Sequence, residues 1–200
     1  SLMGQSVSNS DVSDKPCSIQ LSADTLAMLT IGEWSGNVQL QPGETHQFRV
    51  GVATFIFPFV VPIKSCVRWS VDPQKGVQMD TQSGVLTIDP STPAGKVFTI
   101  FANVERGKRI LSSKVYVYRS DLNPVIGSWR EDMEYECTEG KLVMPAHPIG
   151  ELSFHADNMF TVTWHPFEAY HDYWGKYTID PATKTLRLTV SGGNHVPSGI

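Results

Sequence analysis

Asn123-Pro124-Val125-Ile126-Gly127-Ser128-Trp129 decides the fold of this 200-residue chain. Ahead of it the chain is polar from Arg119, and an Asn-Pro step favours extended or turn backbone over helix, so the segment reads as a break between two structural units. Behind it, apolar and aromatic residues recur in short runs: Gly127 to Cys137, Glu151 to His155, Met159 to His165, Tyr173 to Ile179 and Thr185 to Ser191. The connections His155-Ala156-Asp157-Asn158 and Asp180-Pro181-Ala182-Thr183-Lys184 are tight-turn sequences. Consecutive strands are therefore expected to pair antiparallel in an up-and-down meander.

Upstream of the break, helical periodicity is confined to Ser22 to Thr30, a turn or two with Ser22 or Asp24 as cap. The rest reads as strands. Gln47 to Val52 alternates, and Val67-Arg68-Trp69-Ser70-Val71 puts Val67, Trp69 and Val71 on one face. Val85 to Ile88 follows a Gln82-Ser83-Gly84 turn, while Val97 to Val104 and Ile110 to Tyr118 flank the hairpin-like Arg106-Gly107-Lys108. Seven short strands of this spacing predict a β-sandwich. The fold class expected is all-β, with a flexible tail over 1–16, a sandwich over 17–119, a linker over 120–124 and a β-meander over 125–200. So short a linker leaves little freedom for the two units to swing.

Two family resemblances follow from these runs. Val67-Arg68-Trp69-Ser70-Val71, Val77-Gln78-Met79-Asp80, Thr81-Gln82-Ser83-Gly84-Val85-Leu86-Thr87 and Ala94-Gly95 resemble bacterial immunoglobulin-like domains of the group 2 type. Such modules serve as spacers, stalks or adhesion units on exported proteins, and the resemblance makes Trp69 the core tryptophan of the third strand. Gly127-Ser128-Trp129 is similar to the Gly-x-Trp signature that opens the lipocalin-like β-barrels of exported bacterial proteins. There the tryptophan plugs the closed end, which is the role implied for Trp129. Phe160 to Trp164 and Asp172 to Thr178 resemble the repeated hairpins of that family. A barrel of this kind closes with about eight strands, whereas the chain offers about five. The expectation is that the natural gene continues past Ile200, or that two chains form a homodimer through their open sheet edges.

The chain departs from the first family at Thr54-Phe55-Ile56-Phe57-Pro58-Phe59-Val60-Val61-Pro62-Ile63, where a short polar loop is usual. Two accounts stand side by side. Either the second strand is longer and buried, or the prolines force a loop whose Phe55, Phe57 and Phe59 are covered by the second unit.

Composition narrows the partners. A net charge of −4 gives no general cationic face for nucleic acid or anionic membrane. The longest apolar stretch, Gly51 to Ile63, is too short to span a membrane and contains Pro58 and Pro62. Cys17, Cys66 and Cys137 are too widely spaced for a CxxC motif, which leaves a Cys17–Cys66 bridge open in an oxidising compartment.

Chemistry is sparse. His155, His165 and His171 lie near Asp157, Glu168 and Asp172, yet a zinc site needs three or four converging ligands and the spacing does not impose that. The His165 to Asp172 loop is read as an exposed rim, with a hydrolase built on it as the minor alternative. Asp132, Glu134 and Glu136 share one strand face and are read as solvated, because three adjacent acids do not flank a sugar as a hydrolase pair must. No Gly-x-Ser-x-Gly elbow is present. The strand aromatics Phe154, Phe160, Trp164, Tyr173 and Tyr177 would line an apolar cavity if the barrel were hollow. The expectation is an exported, non-enzymatic protein without cofactor or metal, periplasmic or on the outer surface of a Gram-negative bacterium, with a lipid anchor upstream of residue 1 as one means of attachment. Its barrel would bind a small apolar or amphipathic ligand. The alternative is a structural or adhesive module with a cell-surface partner and no such ligand.

Overall fold

Strand follows strand along the described chain, because β-branched and aromatic residues alternate with polar ones and glycine-rich turns interrupt them before a helix can propagate. The computed structural model describes residues 19–32, 37–54, 60–136, 138–145, 148–164 and 170–198. Phe55, Phe57, Phe59, His165 and Glu168 lie outside these residues.

After a short helix α1 (Ala23–Ala27), capped by the Ser22 hydroxyl accepting from the Thr25 N–H at 3.1 Å, come ten strands. They are β1 (Leu29–Ile31), β2 (Asn37–Leu40), β3 (Thr45–Gln47), β4 (Val50–Ala53) and β5 (Val60–Pro62), then β6 (Val67–Asp72), β7 (Val77–Met79), β8 (Val85–Ile88), β9 (Val97–Val104) and β10 (Arg109–Val117). Three sheets, ordered β1-β4-β5, β2-β10-β9-β6 and β3-β8-β7, contribute to one apolar core. The strand count exceeds the seven read from sequence, because three-residue strands such as β1, β3 and β7 carry too few alternations to register.

β9 shows how the sequence builds this core. Phe98, Ile100, Ala102 and Val104 alternate with polar or half-buried neighbours and are wholly buried, each larger one contributing roughly 1.5–3 kcal/mol by burial. The chain then reverses through Glu105 and Arg106, both at positive φ (46° and 58°), and returns as β10 with Arg109 opposite Val104. Glu105 is held there by bonds from the Leu21 N–H at 2.6 Å and the Lys108 ammonium at 3.0 Å, which keep its carboxyl below the usual range. Trp69 on β6 is buried with its ring 6.0 Å from that of Phe48. Gly84 is required beneath it: its φ is +75°, and a Cβ there would lie 2.7 Å from the indole. Cys66, at the foot of β6, is disulfide-bonded. The Cys17 proposed as its partner lies outside the described residues.

The C-terminal half contains β11 (Gly127–Trp129), β12 (Glu134–Glu136), β13 (Lys141–Val143), β14 (Glu151–Phe154), β15 (Met159–Thr163), β16 (Tyr173–Asp180) and β17 (Thr185–Gly193). Five of these form an antiparallel sheet in the order β11-β14-β15-β16-β17, the expected meander. β12 and β13 make a separate hairpin. The run Gly127 to Cys137 is thus two strands, not one, since the chain leaves the sheet after Trp129. The meander has its own core of Phe154, Phe160, Val162, Tyr173 and Tyr177. At the bulge between Trp174 and Gly175, a Cβ on Gly175 would strike the Thr189 carbonyl and the Phe160 ring.

The role implied for Trp129 is corrected by its surroundings. It is 52% exposed, and its indole N–H donates to the Val125 carbonyl at 2.7 Å instead of entering an interior. The physical reason is that, among the described residues, β11 and β17 stand at opposite ends of the five-stranded order and do not pair, so Trp129 on β11 lies at a sheet edge.

Residues 120–124 are structured by turn bonds. The Asn123 N–H donates to the Arg119 carbonyl at 2.9 Å, and the Ser120 N–H reaches Gln41 Oε1 at 3.2 Å, tying the segment to the sandwich. The Asn123 side-chain N–H in turn donates to the Tyr177 hydroxyl at 2.9 Å, tying it to the meander.

Candidate functional site

The second sheet has two unlike faces. Strand alternation sends Phe154, Phe160, Tyr173 and Tyr177 to one side, leaving Glu151 and Ser153 of β14, Thr161 of β15 and Ser128 of β11 on the other. Register aligns Ser128 with Ser153 and Ser153 with Thr161, making a row of hydroxyls across three strands. The Ser128 and Ser153 hydroxyls lie 2.7 Å apart, and Ser153 donates on to Glu151 Oε1 at 3.0 Å.

The outer face of the sandwich stands opposite. On β2, Val38 and Leu40 enter the core, which turns Asn37 and Gln39 outward, and Gln39 pairs in register with the half-buried Tyr116 of β10. Between the two faces lies a cavity of about 590 Å³. Its walls are joined directly where the Ala156 N–H donates to Gln39 Oε1 at 2.7 Å.

The rim on the meander side is the turn after β14. Asp157 Oδ1 accepts from the Met159 N–H at 3.0 Å, and Asn158 takes the left-handed conformation at φ 63°. Tyr177 fixes the turn from below, its buried hydroxyl donating to the His155 carbonyl at 2.7 Å. Burial pushes the Tyr177 phenol up, so it keeps its proton. Burial also holds the His155 imidazole below its usual 6.5, against the opposing pull of Asp157, so at neutral pH it is uncharged and can both donate and accept. His171 lines the same cavity, with Nδ1 3.3 Å from the Thr163 hydroxyl.

The residues expected to hold an apolar ligand are arranged differently. Phe154 and Tyr177 meet edge to face at 5.0 Å, and Phe160 and Tyr173 do so at 6.4 Å, all four nearly without exposure. They pack on one another as the core of this sheet. Trp164 packs on the margin of this cluster, 6.3 Å from the Tyr173 ring, and also borders a cavity of about 290 Å³ with Met144, Pro145 and Pro148. Asp172, expected on an exposed rim, is buried: its carboxylate accepts from the Trp164 N–H at 2.8 Å and its carbonyl from the Asn194 and His195 N–H groups.

Among the described residues no group of three or more His, Cys, Asp or Glu is placed to hold a metal ion. The hydroxyls of Ser128 and Ser153 bond to each other and Ser153 to Glu151, not to a histidine of the kind that activates a nucleophile. What the cup offers is matched donors and acceptors without a lysine or arginine. Sequence reasoning missed Asn37, Gln39, Tyr116, Ser128, Ser153 and Thr161. The available signal was their alternation with core residues, which marks an outward face but not what that face meets.

No protein-family model matches the chain, and no curated protein matches it either. Among solved structures, the chain is similar to the human Desmocollin-1 ectodomain at 9% identity and a TM-score of 0.30, over 78% of this chain. It spans 34% of the length of that ectodomain.

Proposed function

We propose that the protein is an exported, non-enzymatic surface module of structural or adhesive character, with an immunoglobulin-like sandwich over 17–119 joined by 120–124 to a meander unit over 125–200. The observation that carries this reading is the filled interior of the second sheet, where Phe154, Phe160, Tyr173 and Tyr177 pack on one another. That packing favours the structural alternative over storage of an apolar ligand. Export is supported by the disulfide at Cys66, since such bonds persist in oxidising compartments.

A second copy of the chain is the partner this reading favours for the open edge. Leu186 and Leu188 of β17 pair with Ile179 and Tyr177, share their face, and are 40% and 42% exposed. A nine-residue edge strand that carries Leu186, Leu188 and Val190 on one face is a template for pairing. Native mass spectrometry tests both points on one sample. The expected spectrum is a protein free of lipid adduct with a dimer that grows with concentration. A stoichiometric apolar adduct would sink the structural reading, and a monomer at every concentration would sink the edge pairing.

A further inference from the structure

We infer that the cup between the two halves is a binding site for an uncharged saccharide. The inference goes beyond the adhesive reading and is tested separately from it. Its volume of about 590 Å³ falls within the roughly 300–1,000 Å³ of small-ligand sites, and it sits where such sites concentrate, between two packed units.

The class of ligand follows from the chemistry of the walls. Glu151 and Asp157 are the carboxylates lining the cup, and no lysine or arginine stands among its lining residues to offset them, so an anion would meet unfavourable charge. A cation meets a different difficulty. Glu151 and Asp157 would draw an ammonium in, but Gln39 uses its Oε1 on Ala156, which leaves its NH₂ group as a donor in the wall that an ammonium, having no lone pair, cannot answer. Ser128, Ser153 and Thr161 are groups that both donate and accept, and uncharged His155 is another. A sugar hydroxyl also does both, so a polyol can answer such a surface without leaving a buried polar atom unmatched. Tyr116, turned outward on β10, supplies an aromatic surface for the apolar C–H face of a sugar ring.

The test uses the intact chain and two-dimensional NMR titration with maltotriose, cellotriose and tri-N-acetylchitotriose, set against sialyllactose as an anion and spermidine as a cation. At least one neutral probe is expected to shift the amides of Ser153, Ala156 and Thr161, and sialyllactose to leave them unmoved. Thr161→Tyr, which fills the cup from the centre of the sheet, and Tyr116→Ala, which removes a wall on the sandwich side, should each weaken binding at least about tenfold, equivalent to about 1.4 kcal/mol. A matching amide spectrum away from the cup shows that each variant is folded. No response to any neutral probe, shifts confined to another surface, a response to spermidine or sialyllactose alone, or unchanged affinity in both folded variants would overturn the inference.

Discussion

Replacing Phe160 by alanine separates a filled interior from a hollow one. Phe160 is fully buried on β15, with ring centroids 6.5 Å from Phe154 and 6.4 Å from Tyr173. Truncating a buried phenylalanine costs about 3–5 kcal/mol, because the removed ring loses its transfer free energy and its neighbours relax only partly into the void. At roughly 0.05–0.15 kcal/mol per residue, the stretch 125–200 holds only roughly 4–11 kcal/mol in all. Phe160→Ala should therefore take away a large share of that stability, while the sandwich core around Trp69 stays folded. Urea unfolding read by tryptophan fluorescence resolves this, because Trp129, Trp164 and Trp174 belong to the stretch 125–200 and Trp34 and Trp69 to the stretch 17–119. Phe160→Leu supplies a graded control that keeps much of the volume and should cost less than about 1.5 kcal/mol. A ring lining open space would give up little, so a loss near the ±0.5 kcal/mol of surface substitutions, with an unchanged urea slope, would refute the packed-core reasoning.

Three further outcomes are expected. Gly84→Ala should destabilise the sandwich by about 2–5 kcal/mol, joining about 1–2 for a left-handed non-glycine residue to about 1–3 for overpacking against Trp69; thermal melts that move by less than a degree would contradict it. His155 binds protons less readily folded than unfolded, so its contribution is complete above about pH 6.5 and lost as the pH falls below that; His155→Gln should flatten the Tm profile between about pH 7.5 and about 5.5, and an unaltered slope would count against its burial. The Cys66 disulfide is expected to run to Cys17, because Leu21 bonds to Glu105 and the Glu105 N–H bonds to the Cys66 carbonyl; non-reducing peptide mapping that links Cys66 to Cys137 would exclude it.

The strands that sequence showed best were those with several alternations. Val85 to Ile88 and Val97 to Val104 coincide with β8 and β9, and the meander order follows from its tight turns. Gly127 to Cys137 misled because alternation continues through Met133 and Tyr135, which are exposed on the β12–β13 hairpin instead of buried in the sheet. Trp129 misled for a related reason: a Gly-x-Trp pair states where a strand begins, not whether the sheet it begins will close. The cup was harder still to read. Gln39 and Ala156 are 117 positions apart, and no local pattern on β2 announces which surface its outward side chains will face. A polar alternate position looks the same in sequence whether it meets water or another sheet.

The central claim is that the outer faces of the sandwich and the meander close on one another to form the cup, and the Ala156 amide reports on that closure directly. Its N–H donates to Gln39 Oε1 across the gap. Hydrogen exchange followed by NMR should show Ala156 protected in the native protein, and Gln39→Ala should release that protection while the Phe160 amide within the sheet stays slow. An Ala156 amide that exchanges at the unprotected rate in the native chain, or one whose protection survives Gln39→Ala, would contradict the account.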